Sequence, residues 1–299
     1  MALFNYEREP AGVARQLNFN FSKNTTYGLG GLCKVAYFPK CEEEAIKVFD
    51  TLNFYDQKFF VLGCGSNVLA SDKYFNGAII STSHLKGISK TDSGISCLSG
   101  TTVAEVLNYC RERGLSGLEF LAGIPASVGG IAYMNAGSGG RYVSDVLQDC
   151  TIYNGKLRSF SNKLCKFGYK YSTMRDIKSI ILSCSFTLTQ STPQQVSENI
   201  NKYVSLRLNQ PKGKSCGCVF KNPEGLSAGQ LIDYCGLKGF AYGGARVSRY
   251  HANFIINEGA AASDVYKLIK FIKKTVFEIT GISLEEEVVY IGDFNGTFG

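Results

Sequence analysis

No segment of this chain carries the roughly 20 consecutive apolar residues that crossing a bilayer requires, and the chain is not expected to span or sit on a membrane. Residues 1–17 mix polar, charged and apolar side chains without the apolar centre of a secretory signal, which leads to the expectation of a cytoplasmic protein. Metal-binding patterns are missing as well. There is no Cys-x-x-Cys pair, the only histidines are His84 and His251, and Cys216-Gly217-Cys218 offers two ligands where zinc takes four, so no metal is expected. The 11 cysteines are odd in number and scattered, which suits a reducing compartment better than a disulfide framework. Nor does the formal charge of +7 gather into a basic helix interleaved with aromatics. Acidic residues lie between the lysines and arginines, so the charge reads as a solvated surface with a few anion-binding positions, not as a nucleic-acid footprint.

What is there is globular sequence with 44% apolar side chains over 299 residues, enough for one large domain or two to three smaller ones. Thr25 to Pro39 reads as extended, and a helix from Glu42 sets Ala45, Val48, Phe49 and Leu52 on one face. Phe59 to Leu62 is a short buried strand that runs into Gly63-Cys64-Gly65-Ser66-Asn67, and Ala78 to Ile80 is another strand. A helix from Thr102 places Val103, Val106, Leu107 and Cys110 together and stops at Gly114. After a glycine-rich stretch from Gly117 to Gly140, strands return at Thr151 to Tyr153 and Ile180 to Leu188. A helix from Gln194 to about Leu208 and the turn Gln210 to Gly213 mark a boundary. Beyond it, Ser227 is a candidate cap for a short helix through Cys235, and Asn253 to Ile256 reads as a strand. Ser263 is a candidate cap for a long helix facing inward through Val265, Leu268, Ile269, Ile272 and Val276 and stopping at Gly281, and Glu287 to Ile291 reads as a closing strand. The pattern is α+β.

Two stretches invite chemistry. In Gly63-x-Gly65-Ser66-Asn67, glycines let successive amides point into one concavity and the serine adds a donor, which suits a diphosphate, although a plain turn explains it as well. It is neither a Walker loop nor the G-x-G-x-x-G fingerprint. The small residues of Gly123-Ile124-Pro125-Ala126-Ser127-Val128-Gly129-Gly130, followed by Asn135-Ala136-Gly137, let backbone approach a large flat ligand closely. Neither stretch by itself specifies a flavin.

A resemblance does. Asn24-Thr25-Thr26-Tyr27 with Gly30-Gly31, Val61 through Leu69, Leu118 through Pro125, Cys218-Val219-Phe220-Lys221-Asn222-Pro223, Ser227 through Ile232, His251-Ala252-Asn253-Phe254 and Leu284-Glu285-x-Glu287-Val288 resemble, in order, the UDP-N-acetylenolpyruvoylglucosamine reductase (MurB) family, in its compact class without a substrate-covering tyrosine loop. The resemblance implies a two-lobed FAD-binding module of the vanillyl-alcohol-oxidase type and a separate α+β substrate domain. The boundaries this implies are 1–82 and 83–209 for the lobes, 210–284 for the substrate domain and 285–299 for a returning strand and tail. It further implies peptidoglycan precursor synthesis on a small UDP-sugar, with FAD and NADPH as cofactors and a monomeric enzyme without nucleic-acid partner. In such chemistry NADPH reduces FAD, a hydride reaches the enolpyruvyl ether, and negative charge spreads into the neighbouring carboxylate, so an acid or cation must face that carboxylate and a proton donor must face the α-carbon.

By motif, Glu287 falls at the family's catalytic glutamate and Cys218 at its proton donor, where many members have serine. A thiol with an ordinary pKa of about 8.5 is mostly protonated at neutral pH, so the swap keeps the proton. Lys170, in Tyr169-Lys170-Tyr171-Ser172, stands where the family has arginine and keeps the charge but not the two-pronged grip on a carboxylate, with Arg175 as a candidate to compensate. Asn222, His251 and Asn253 are the further substrate candidates, alongside Lys170. Cofactor candidates are Gly63, Cys64, Gly65, Ser66, Asn67, Val68, Ile124, Pro125, Ala126, Ser127, Gly129, Gly130, Asn135, Ala136 and Gly137. The competing expectations are another flavin oxidoreductase of the same fold and a catalytically weakened paralogue.

Overall fold

The structure, a computed structural model, describes residues 10–294. The outer parts of the first expected lobe and of the expected tail, residues 1–9 and 295–299, lie outside the described residues. A four-stranded sheet takes Ala14–Asn20, Leu32–Phe38, Phe75–Ser81 and Phe59–Leu62 in that order, and a five-stranded sheet takes Leu157–Ser161, Leu147–Tyr153, Ile180–Thr187, Gly94–Leu98 and Ile88–Lys90. The chain divides by contacts into two compact units. One holds the chain up to Gln16 with Val35–Cys64 and Gly77–Leu208; the other holds Leu17–Lys34, Gly65–Asn76 and the chain from Asn209. Thus two early segments, which chain order alone would leave in the first lobe, pack with the C-terminal portion.

The first unit has two cores. One gathers around the helix Glu42–Phe54, whose Ala45, Val48, Phe49 and Leu52 are buried as the periodicity requires, together with Ile180 and Leu182. The other joins the helix Val103–Arg113 to the face of the five-stranded sheet. Thr102 and Glu105 cap that helix reciprocally, and Gly114 ends it at a φ of 62°, a left-handed conformation that glycine adopts at little cost.

The second unit is built on the helix Ala262–Thr280, which buries Val265, Leu268, Ile269, Ile272 and Val276 completely. Ser263 is not its cap, because it already lies inside the first turn. The orphan amides of Ala262 and Ser263 instead donate to the carboxylate of Asp72 at 2.8 and 2.9 Å, an anion placed where the helix dipole favours one. Leu268→Ala removes a side chain with no room to relax and is expected to cost about 2–5 kcal/mol, measured as a lower unfolding midpoint in urea.

Candidate active site

The strand Phe59–Leu62 pairs in parallel with Phe75–Ser81 and delivers the turn 63–67. Gly63 lies so close to Ser127 that a Cβ there would stand 2.3 Å from the serine oxygen. Ser127 Oγ accepts from Gly130 N as the cap of the short helix Val128–Tyr133, and it also hydrogen-bonds the thiol of Cys64, whose pKa burial pushes up. The two glycine-rich stretches, far apart in sequence, therefore share one contact. Gly129 is pressed onto Ser99, where a Cβ would meet the serine Cβ at 2.9 Å, whereas beside Gly130 only Ser127 Oγ comes near. Gly65, in the second unit, has a φ of 64° and backs onto Asn24 and Thr25, leaving 2.6 Å between a would-be Cβ and the Asn24 carbonyl oxygen. Among the described residues none accepts a hydrogen bond from the backbone amides of Cys64, Gly65 or Ser66, which leaves three consecutive donors. A turn whose glycines admit no Cβ because packed neighbours stand behind them, with three such donors, fits the diphosphate of FAD. In the first unit, the glycine backbone at 129–130 is half-exposed and can lie against a flat ring.

Asn135, Ala136 and Gly137 do something else. The Asn135 amide is buried, with Nδ2 donating to Gly168 O at 2.9 Å and Oδ1 accepting from Ser144 N at 3.0 Å, so its side chain holds backbone together. Ala136 donates to Ile131 O and accepts from Val143 N, and Gly137 pairs with Tyr142. This segment instead anchors Lys170. Gly168 and Tyr171 exchange backbone hydrogen bonds around a tight turn with Lys170 at a φ of 56°, and Ser172 Oγ ties the turn to Tyr133 O at 2.7 Å. Arg175 Nη1 donates to the Lys170 carbonyl at 2.6 Å and its guanidinium lies 5.9 Å from the Tyr133 ring centroid. Arg175 thus braces the turn that carries the lysine.

In the second unit, residues 218–221 run between two partners. Cys218 bridges Phe254 on one side, and on the other Phe220 bridges Glu286, Glu287 N donates to Val219 O at 2.7 Å and Lys221 N to Glu285 O at 2.8 Å. Cys218 and Glu287 therefore stand on adjoining backbone segments. Both bear electrostatically on the buried Cys216 thiol, whose pKa is raised by burial first and then by Glu287 and Cys218. Three consecutive glutamates acquire three environments. Glu285 is exposed and pairs with Lys221. Glu286 is reached by Lys273 at 2.9 Å and Lys270 at 3.1 Å; burial pushes its pKa up, but those hydrogen bonds leave it below the usual carboxylate value. Glu287 is the one turned inward, 8% exposed. Asn67 Nδ2 donates to Glu287 O at 3.1 Å and Val289 N to Asn67 O, so the end of the phosphate-type turn is stitched to the catalytic candidate, a tie that no local pattern in the sequence announces.

Of the substrate candidates, Asn222 Oδ1 accepts from Ala228 N at the start of the helix Ala228–Tyr234, which Ser227 caps as expected. Asn253 is 2% exposed and both ends of its amide are engaged by the main chain of Phe220, so its side chain orders backbone. The expected strand consequently begins later, as Ile255–Asn257. His251 is half-buried against Phe254 and Gly229, and its Nδ1 accepts from Asn253 N at 3.2 Å, which makes Nε2 the protonated nitrogen of a neutral ring. Burial holds its pKa below the ordinary value, with Lys238 adding to the effect. An unfolded histidine takes up a proton near pH 6.5 and this one resists it, so the stability it contributes is present above that pH and is lost as pH falls below it. His251→Gln should narrow the stability difference between pH 7.5 and pH 5.5 in urea denaturation.

The site and fold define a flavoprotein. Residues 33–156 match the FAD binding domain, and residues 209–291 match the C-terminal domain of UDP-N-acetylenolpyruvoylglucosamine reductase. Similar proteins include the UDP-N-acetylenolpyruvoylglucosamine reductases of Prochlorococcus marinus, 37% identical with 94% of this chain and 99% of that one covered, and of Listeria monocytogenes, 36% identical with 97% and 99% covered. Among solved structures, UDP-N-acetylenolpyruvylglucosamine reductase (MurB) from Thermus caldophilus superimposes with a TM-score of 0.80 at 31% identity, covering 94% of this chain and 99% of that one. The chain belongs to the UDP-N-acetylenolpyruvoylglucosamine reductase family.

Proposed function

We propose that this protein is the FAD-dependent reductase of peptidoglycan precursor synthesis, which uses NADPH to convert UDP-N-acetylglucosamine enolpyruvate into UDP-N-acetylmuramate. Family membership over nearly the whole chain and a FAD binding domain support that reading. The observation that carries it is the placement of Cys218 and the inward-turned Glu287 on adjoining segments. Bound FAD supplies the two-electron chemistry between NADPH and the enolpyruvyl double bond. Residues 63–68, 124–127, 129 and 130 are assigned to hold it. As negative charge grows on the substrate carboxylate, Glu287 meets it as an acid and Lys170 as a cation; the Cys218 thiol gives its proton to the α-carbon. Lys170 supplies charge without a fork, and Arg175, engaged with the Lys170 carbonyl, preserves the turn instead of restoring the fork. Asn222 and the Nε2–H of His251 are assigned to the UDP-sugar. We assign the enzyme to the cytoplasm, as a monomer without a nucleic-acid partner.

The deciding experiment is anaerobic. NADPH should bleach the yellow holoprotein, and the enolpyruvyl UDP-sugar should then restore the colour. Bleaching without recovery would mean that another acceptor is reduced.

A further inference from the structure

The Asn253 side chain occupies a position where a sheet would have another peptide unit. Its Oδ1 accepts from Phe220 N at 2.8 Å, its Nδ2 donates to Phe220 O at 2.8 Å, and its own carbonyl accepts from Val219 N at 2.8 Å. A primary amide offers one acceptor and one donor side by side, as a backbone peptide does, and can complete a ladder where the neighbouring strand has not yet begun. The regular strand starts two residues on, at Ile255. Opposite, Glu287 N and Glu285 O take the remaining groups of Val219 and Lys221. The chain between Cys218 and Lys221 is thus held from both flanks, and on one flank the rung at Phe220 is a side chain. Phe220 is 1% exposed, so no water stands ready to replace it.

We propose that Asn253 is a positioning residue for the reaction: its amide fixes the register of residues 218–221 and thereby the aim of the Cys218 thiol relative to the Glu287 carboxyl, without touching substrate. The inference rests on the reading of Cys218 as proton donor. The backbone N–H of Asn253, which any residue at this position would keep, separately donates to His251 Nδ1 at 3.2 Å.

The test compares the wild-type holoprotein with Asn253→Ala and Asn253→Asp in the two anaerobic half-reactions. NADPH should bleach all three at one rate. Reoxidation by the enolpyruvyl UDP-sugar should be slowed about 100-fold in Asn253→Ala at every pH, the scale on which misplacement by about an ångström acts. Asn253→Asp should be equally slow at pH 8 and recover to within about threefold of wild type at pH 5.5, since a protonated carboxyl again presents a donor beside an acceptor. The ionisable neighbours Cys216, Cys218, His251 and Glu287 are common to both proteins, so the variant-to-wild-type ratio is the quantity to read. Amide hydrogen exchange over 218–221 should rise in Asn253→Ala, and in Asn253→Asp at pH 8 only. Reoxidation of Asn253→Ala within threefold of wild type would overturn the proposal, as would a ratio for Asn253→Asp that is flat with pH. Equal slowing of both half-reactions, with exchange rising throughout the unit, would make Asn253 a folding residue and nothing more. A wild-type protein that the substrate fails to reoxidise removes the functional reading, and this inference with it.

Discussion

Cys218→Ala is expected to leave bleaching by NADPH unchanged and to slow reoxidation by the enolpyruvyl UDP-sugar by about 10²–10⁴-fold, the range over which a positioned proton donor acts. The selectivity is what identifies the role. Cys218 lies in the second unit, one residue from Val219, whose carbonyl receives Glu287 N, and its removal deletes a proton from the step in which the α-carbon must acquire one. Cys218→Ser should recover part of the rate, because a hydroxyl occupies the same place but is a poorer acid than a thiol. Stopped-flow absorbance of the flavin in the two half-reactions measures both. Equal losses in the two would make Cys218 a packing residue.

Gly65→Ala is expected to weaken FAD binding by about 10–100-fold. The added methyl meets main chain, 2.6 Å from the Asn24 carbonyl and 2.9 Å from Thr25 Cα, so no side chain can rotate to admit it, and the φ of 64° disfavours alanine in any case. Overpacking of this kind costs about 1–3 kcal/mol, which at roughly 1.4 kcal/mol per decade corresponds to about 5- to 140-fold and brackets the stated range if the turn opens to relieve it. Titration of the apoprotein with FAD reads the loss directly, and unchanged affinity would place the turn outside the cofactor's grip. Gly63→Ala should be milder, because the atom it meets is a serine oxygen that can turn aside at the expense of a helix cap.

The helices were legible wherever their signals were local. Thr102 at one end and Gly114 at the other bound a helix that the structure reproduces, and the apolar faces of Glu42–Phe54 and Ala262–Thr280 follow from spacing alone. Errors arose where a distant residue supplied the partner. The cap of the long helix comes from Asp72, about 190 residues earlier, so a nearby serine was the natural but mistaken choice. Three adjacent glutamates look alike to periodicity; in the fold, lysines at 221, 270 and 273 reach Glu285 and Glu286, and burial marks out Glu287. Asn253 is a substrate candidate only through the resemblance of its block to the family, and nothing in that block reveals that the carboxamide is engaged by main chain 33 positions away. The bonds of the Asn135 carboxamide to Gly168 and Ser144 are likewise made to partners that no local spacing announces.

The strand Val289–Ile291 lies in parallel register against Val68–Ala70, and Ser71 N reaches Ile291 O at 2.8 Å. Such a pairing joins segments that lie far apart in the chain. Closing so long a loop costs conformational entropy that only several simultaneous contacts repay, so the strand, the turn that ends at Asn67 and the backbone of Glu287 settle as one cooperative step.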